Sequence, residues 1–139
     1  MATFTKFNSF VEALAEKTHN LGSDQLKVAL TNTDPTASAT NYAALTLPLA
    51  TTNLSGATPF NVTTLTSAQT SGTYKLVCAD LVLTATGAVG PFRYVVLYNG
   101  TAIAGELIGY YDYGSSISLA NTETFTIDFD GTNGVLTLA

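Results

Sequence analysis

Residues Gly87 to Asp130 read GAVGPFRYVVLYNGTAIAGELIGYYDYGSSISLANTETFTIDFD. Runs rich in Val, Ile, Phe and Tyr alternate there with Gly, Asn, Pro and Ser. Branched and aromatic side chains pack well on a half-buried pleated surface, whereas Gly, Asn, Pro and Ser favour turns. The stretch therefore predicts antiparallel strands joined by short turns. Two apolar faces follow from its alternation: Phe92, Tyr94, Val96 and Tyr98 on one strand, and Phe125, Ile127 and Phe129 on another.

The same pattern extends over residues 23–139. Gln25 to Thr33 predicts a first strand, with Leu26, Val28 and Leu30 facing inward and Ala29 and Thr31 facing outward. Together the runs predict about eight strands at the spacing typical of two packed sheets. We expect a mainly β protein, an antiparallel β-sandwich of the jelly-roll or immunoglobulin-like kind.

Two segments of this region break the regular pattern. Thr73 to Thr86 is too long for one flat strand, and its apolar side chains do not keep to one face. This pattern predicts a bulge near Ala79 and Asp80 or burial of both faces. Thr36 to Ser55 predicts a long loop, and long ordered loops often carry contacts with partners.

Residues 1–22 predict an amphipathic helix in front of the sandwich. Apolar residues recur at three- and four-residue steps between Thr3 and His19 and include Phe4, Phe7 and Phe10. The three Phe side chains must be buried against other apolar side chains. Either the helix packs on its own sheet, or it docks on a neighbouring subunit. His19 is expected to cap the helix or to lie on the surface.

Composition narrows the classes of partner. The chain has 139 residues, which suits one domain, and charged residues make up 11%. Its net charge is −5 and its five basic residues form no run, so neither nucleic acid nor an anionic membrane is an expected partner. No signal peptide or membrane-spanning run is recognisable. A low-charge, Thr-rich surface suits either a secreted or particle-borne β protein, or packing against other subunits.

The sequence contains no recognisable catalytic, cofactor-binding or phosphate-binding motif. Cys78 is the single cysteine and lies in an apolar run, so it is read as a small buried side chain. Asp128 to Gly134 is only loosely similar to a calcium-binding loop, and β-turns favour the same residues. Tyr110 to Tyr113 is an aromatic cluster that could line a core, an interface or a sugar-binding groove.

Several stretches resemble a family of small virion proteins of tailed bacteriophages. The matching segments are FNSFVE (7–12), HNLGSD (19–24), VALTNT (28–33), GPFRYVVLYN (90–99), LIGYYDYGSS (107–116) and ETFTIDF (123–129). They come from both ends of the chain and from most of its length, and residues 36–69 match least.

The resemblance implies a non-enzymatic structural role without a cofactor, in a virion assembled in the bacterial cytoplasm. The leading hypothesis is a capsid decoration or cement protein that binds the major capsid protein and forms homo-oligomers. The alternatives are a head–tail connector, neck or tail-appendage subunit, and a carbohydrate-binding module for host attachment. The side chains predicted to contact a partner are Phe4, Phe7, Phe10, Tyr42, Leu45, Tyr110 and Tyr111.

Overall fold

The structure, a computed structural model, describes residues 2–139. It is mainly β with one short helix near the N-terminus, as predicted. A single 3-10 turn, Tyr42–Ala44, lies in the long loop. The remaining elements are β1 (Phe4–Lys6), α1 (Ser9–Ala15), β2 (Leu26–Thr31), β3 (Thr64–Thr70), β4 (Thr73–Cys78), β5 (Leu81–Thr84), β6 (Val89–Asn99), β7 (Leu107–Leu119), β8 (Thr124–Ile127) and β9 (Leu136–Leu138).

The strands form three antiparallel sheets. The largest has the order β1-β7-β6-β2, and the smaller ones are β3-β4-β9 and β5-β8. Buried side chains from all three sheets meet in one cluster, which includes Val28, Leu76 and Ile127. This arrangement is sandwich-like, with the long β6–β7 hairpin at its centre. The predicted faces of the last strands are confirmed, because Phe125, Ile127 and Phe129 all pack in or against this cluster.

The large sheet is covered on its second face as well. A second buried cluster contains Phe7, Ala29, Leu45, Val96 and Leu107. The prediction that Ala29 and Thr31 face outward was therefore wrong. The long loop lies over this face, where Thr31 Oγ1 donates a hydrogen bond of 2.7 Å to the carbonyl of Thr46. We call this side of the sheet the loop-covered face.

The N-terminal helix is much shorter than predicted. The Phe4–Lys6 segment pairs with β7 as an edge strand, and the helix covers only Ser9–Ala15. The periodicity of the Phe residues fits a helix, but β7 offers unpaired backbone groups along its edge. Pairing with them outweighs local helical preference, which is a weak determinant of structure. The segment 1–22 thus contributes a strand to the large sheet in addition to a helix.

The pairing of β6 with β7 is irregular around Arg93, and the side-chain parity of β6 changes in the same region. Phe92 pairs with Ile117 and Tyr94 with Asp112, so several β7 residues lie opposite Arg93 alone. Arg93 donates from Nε and Nη2 to the two carboxylate oxygens of Asp112, at 2.7 and 2.9 Å. Phe92 belongs to the main core, while Val96 belongs to the cluster on the loop-covered face. The prediction that they share one face was wrong.

The segment Thr73 to Thr86 is interrupted at Ala79 and Asp80, where a bulge was predicted, but it divides there into two strands of different sheets: β4 ends at Cys78 and β5 begins at Leu81. Strand β7 runs through Gly114 without ending there, although a glycine inside a strand often marks an interruption. Gly114 has a φ of +82°, which lets the strand continue through its bulge.

Candidate functional site

Most of the side chains predicted to contact a partner lie inside the protein. Phe7 and Phe10 are fully buried, and Leu45 and Tyr111 are nearly so. Phe4 and Tyr110 are half-buried. Of the predicted set only Tyr42 is exposed, at 37%.

The helix packs on its own chain. Phe10 lies in the main core, with its ring centroid 5.4 Å from that of His19. Phe7 packs beneath the long loop, with its ring 5.1 Å from that of Tyr110. The docking interpretation of these residues is therefore corrected: in this structure their apolar area is already covered.

The tyrosine cluster likewise belongs to the core. The ring of Tyr111 lies 5.1 Å from that of Phe4 and 6.1 Å from that of Phe129. Burial raises the pKa of Tyr113 to about 12 and that of Tyr111 further still. The sugar-binding groove that one alternative placed at Tyr110 to Tyr113 is not formed by these side chains.

Other aliphatic side chains are exposed instead. Ile103 is fully exposed between β6 and β7, and Leu47 is 83% exposed in the long loop. Sequence reasoning selected neither residue: Ile103 lies between turn residues, and of the alternating leucines Leu45, Leu47 and Leu49 only Leu45 was predicted as a contact. Their signal was a branched or large aliphatic residue inside a segment otherwise rich in Ala, Thr, Gly and Pro. Val11, Leu65 and Val82 are also at least half exposed.

The loop that carries Ile103 is ordered by the buried side chain of Asn99. We call residues 100–106 the β6–β7 loop. The Oδ1 atom of Asn99 accepts hydrogen bonds from the backbone amides of Thr101 and Ala102, at 2.9 and 3.1 Å. The hydroxyl of Thr101 accepts a further bond of 2.8 Å from the amide of Gln25. Ile103 therefore extends from a fixed loop.

Asn99 is in turn held by His19 and Asp24. Its Nδ2 atom lies 3.1 Å from His19 Nδ1 and donates a bond of 2.6 Å to Asp24 Oδ2. Burial lowers the pKa of His19, and the charges of Glu106 and Asp24 oppose that shift. His19 is buried, so the predicted surface or capping role was wrong. Its position instead links the end of the helix segment to the β6–β7 loop.

A cleft of about 390 Å³ opens on the loop-covered face. Tyr42 and Tyr98 contribute its largest aromatic surface, with ring centroids 5.0 Å apart and planes tilted by 43°. We call this feature the aromatic cleft. Its remaining lining comes from Lys27, Leu49 to Thr51, and Ala57 to Asn61.

Two further sequence candidates have structural roles. Cys78 is buried, and burial raises its pKa to about 11, against a smaller opposing effect of its hydrogen bond with Thr64. In the loop predicted to be either a turn or a calcium site, Asp130 Oδ1 accepts bonds from the amides of Thr132 and Asn133. These bonds form a turn and hold the pKa of Asp130 below its usual value. Within residues 2–139 no group of three or more His, Cys, Asp or Glu side chains is arranged to hold a metal.

Among residues 2–139, no helix combines the length and apolar character needed to cross a membrane. Comparison with known protein families, with curated proteins and with solved structures finds no match to this chain.

Proposed function

We propose that this chain is a non-enzymatic structural protein of a bacteriophage virion that decorates the capsid by binding the major capsid protein. The observation that carries the proposal is Ile103, a fully exposed aliphatic side chain on the ordered β6–β7 loop. A preorganised loop loses little conformational entropy on binding, and a central apolar anchor contributes much of the affinity of an interface. The resemblance to virion proteins supports the same role.

The low charge of the chain suits such a contact. Charged residues make up 11% of the sequence, and charge is depleted at the core of protein interfaces. Leu47 supplies a second exposed aliphatic side chain, and its φ of +46° is unusual for leucine. Strained backbone is concentrated at functional positions, which makes Leu47 a second candidate contact. A stable contact needs roughly 800 Å² from each partner, more than one side chain offers.

Self-association would be served by β3, at the edge of its sheet. The strand reads TLTSAQT, and β4 is the one strand that pairs with it among residues 2–139. It carries neither charge nor Pro, the features that natural edge strands use to prevent pairing with another chain. We infer that the chain forms homo-oligomers in the particle, with β3 as the leading contact.

The test begins with the number of copies in purified particles, measured by quantitative mass spectrometry against the major capsid protein. A ratio near one copy per capsid subunit, or a fixed large fraction of it, supports decoration. A few to a few dozen copies would instead favour the connector, neck or tail-appendage alternative, because such parts are built on symmetric rings. Absence from particles would overturn every virion role.

Incorporation of two matched variants then locates the contact. Ile103→Asp places a charge at the proposed anchor, and Thr137→Asp places the same charge on exposed β9, opposite Lys75. Both variants are expected to fold as the wild type does. Only Ile103→Asp is expected to lose incorporation into particles, and equal incorporation of the two would refute the role of Ile103.

A further inference from the structure

The aromatic cleft has a floor of paired strands and three walls of loop. Its floor is formed by Lys27 of β2 and Tyr98 of β6, which face each other across the two strands. Tyr42 forms the first wall, Leu49 to Thr51 the second and Ala57 to Asn61 the third. Its volume of about 390 Å³ lies within the range of small-molecule sites.

Backbone hydrogen bonds join the first wall to the β6–β7 loop and the other two walls to the large sheet. The amide of Tyr42 donates to the carbonyl of Gly105 at 2.9 Å, and that of Leu49 donates to Leu30 at 2.8 Å. On the third wall, the carbonyl of Phe60 accepts from Val28 at 2.9 Å. The cleft is therefore formed before any ligand arrives, which lowers the entropy cost of binding.

Gly105 allows the two tyrosines to meet. Its φ is +65°, and a Cβ atom there would lie 3.0 Å from the Cβ of Tyr42 and 3.4 Å from Cδ2 of Tyr98. These distances are short for contacts between carbon atoms, so a larger residue at position 105 would displace Tyr42. The glycine thus fixes an aromatic surface of defined shape at one side of the cleft.

Polar residues also line this space. The ammonium of Lys27, the amide of Asn61 and the hydroxyls of Thr51 and Thr58 belong to lining residues. The ion pair found within residues 2–139 joins Arg93 to Asp112, so Lys27 has no acidic partner among them. Donors without a charged partner beside an aromatic surface suit a ligand that has both hydroxyl groups and an apolar face.

We propose that the aromatic cleft binds a single carbohydrate ring. A pyranose has an apolar C–H face that packs on Tyr42 and Tyr98, and hydroxyls at its rim that accept from Lys27 and bond with Asn61. Aromatic grooves also bind proline-rich peptides, but those use ridges of aromatic rings and few polar groups. The polar residues that line the cleft together with the tyrosines favour the sugar.

The test is a titration of the purified full-length chain, followed by ¹⁵N–¹H NMR, with glucose, galactose, N-acetylglucosamine and glucuronic acid as separate probes. At least one sugar should shift the amides of residues 42, 58, 60, 61 and 98, with a dissociation constant on the order of 1 mM. Tyr42→Ala should weaken this binding at least about tenfold. The matched control Val82→Ala removes an exposed side chain outside the cleft and should leave binding unchanged.

Lys27→Met is a second variant in case Tyr42→Ala does not fold. It keeps the aliphatic stem, which packs on Gly100, and removes the ammonium, so we expect weaker binding with an unchanged fold. The proposal is overturned if none of the four sugars shifts these amides, if both cleft variants bind as the wild type does, or if a deca-proline peptide binds here and the sugars do not. The titration uses no particles, so its outcome is independent of the decoration proposal.

Discussion

The imidazole of His19 lies against the side-chain amide of Asn99, with Nδ1 of the histidine 3.1 Å from Nδ2 of the asparagine. Because Nδ2 is a donor, the bond requires an unprotonated Nδ1 and therefore a neutral ring with its proton on Nε2. Protonation of the ring would break this bond and loosen Asn99, which orders the β6–β7 loop. The end of the helix segment and the proposed capsid-binding loop are thus coupled through one buried contact.

The first prediction concerns the pH dependence of stability. Burial lowers the pKa of His19 in the folded chain below its ordinary value of 6.5, so the unfolded chain binds the proton more readily. The free energy of unfolding should therefore fall as the pH drops below about 6.5, by at most about 1.4 kcal/mol per pH unit. Urea denaturation at a series of pH values between about 7.5 and 5 measures this fall in the free energy of unfolding.

The control is His19→Gln, which keeps a polar side chain and removes the titrating group. The folded chain also lowers the pKa values of Asp112 and Asp130, but the ordinary pKa of an aspartate, 3.8, places their effect at lower pH. His19 is the single histidine of the sequence, so the slope in this window should disappear in His19→Gln. An unchanged slope would show that other groups cause it.

The second prediction distinguishes a core helix from a docking helix. Phe10→Ala should lower the free energy of unfolding by about 3–5 kcal/mol, because the ring is fully buried and its removal leaves a cavity. Val11→Ala, on the exposed side of the same helix, should change it by no more than about 0.5 kcal/mol. Thermal or urea unfolding measures both. Equal stabilities would mean that Phe10 is not part of the core.

The third prediction concerns the pairing of β1 with β7. A Cβ atom at Gly109 would overlap the ring of Phe4, whereas one at Gly131 would meet nothing within 4 Å. Gly109→Ala should therefore displace Phe4 and cost about 1–3 kcal/mol, while Gly131→Ala should have little effect. Hydrogen exchange should show faster exchange in β1 only in Gly109→Ala. Wild-type protection of β1 in that variant would contradict the packing of Phe4 on Gly109.

The fourth prediction concerns the thiol of Cys78. Only 2% of the residue is exposed, and burial raises its pKa to about 11, so little thiolate exists at pH 8. Native protein should react with a disulfide reagent such as DTNB only through transient opening, much more slowly than urea-unfolded protein. Rapid reaction of the native chain would indicate that β4 opens readily in solution.

Local alternation in the sequence was enough to predict the fold class and several faces. Phe125, Ile127 and Phe129 were placed on one buried face because side chains alternate along a strand whatever its partner. The break at Ala79 and Asp80 followed from a change of parity that no flat strand accommodates. Such features depend on neighbours in the chain and can be recognised without knowledge of the sheet order.

Pairing between distant segments decided the rest. Phe4 joined a strand because β7 offered its edge, and Ala29 was buried because the long loop covered that face of the sheet. The same contacts removed Phe7 and Phe10 from the surface and left Tyr42 exposed beside Tyr98. Hydrophobicity indicates that a side chain needs a cover, but the tertiary structure determines whether that cover is the chain itself or a partner.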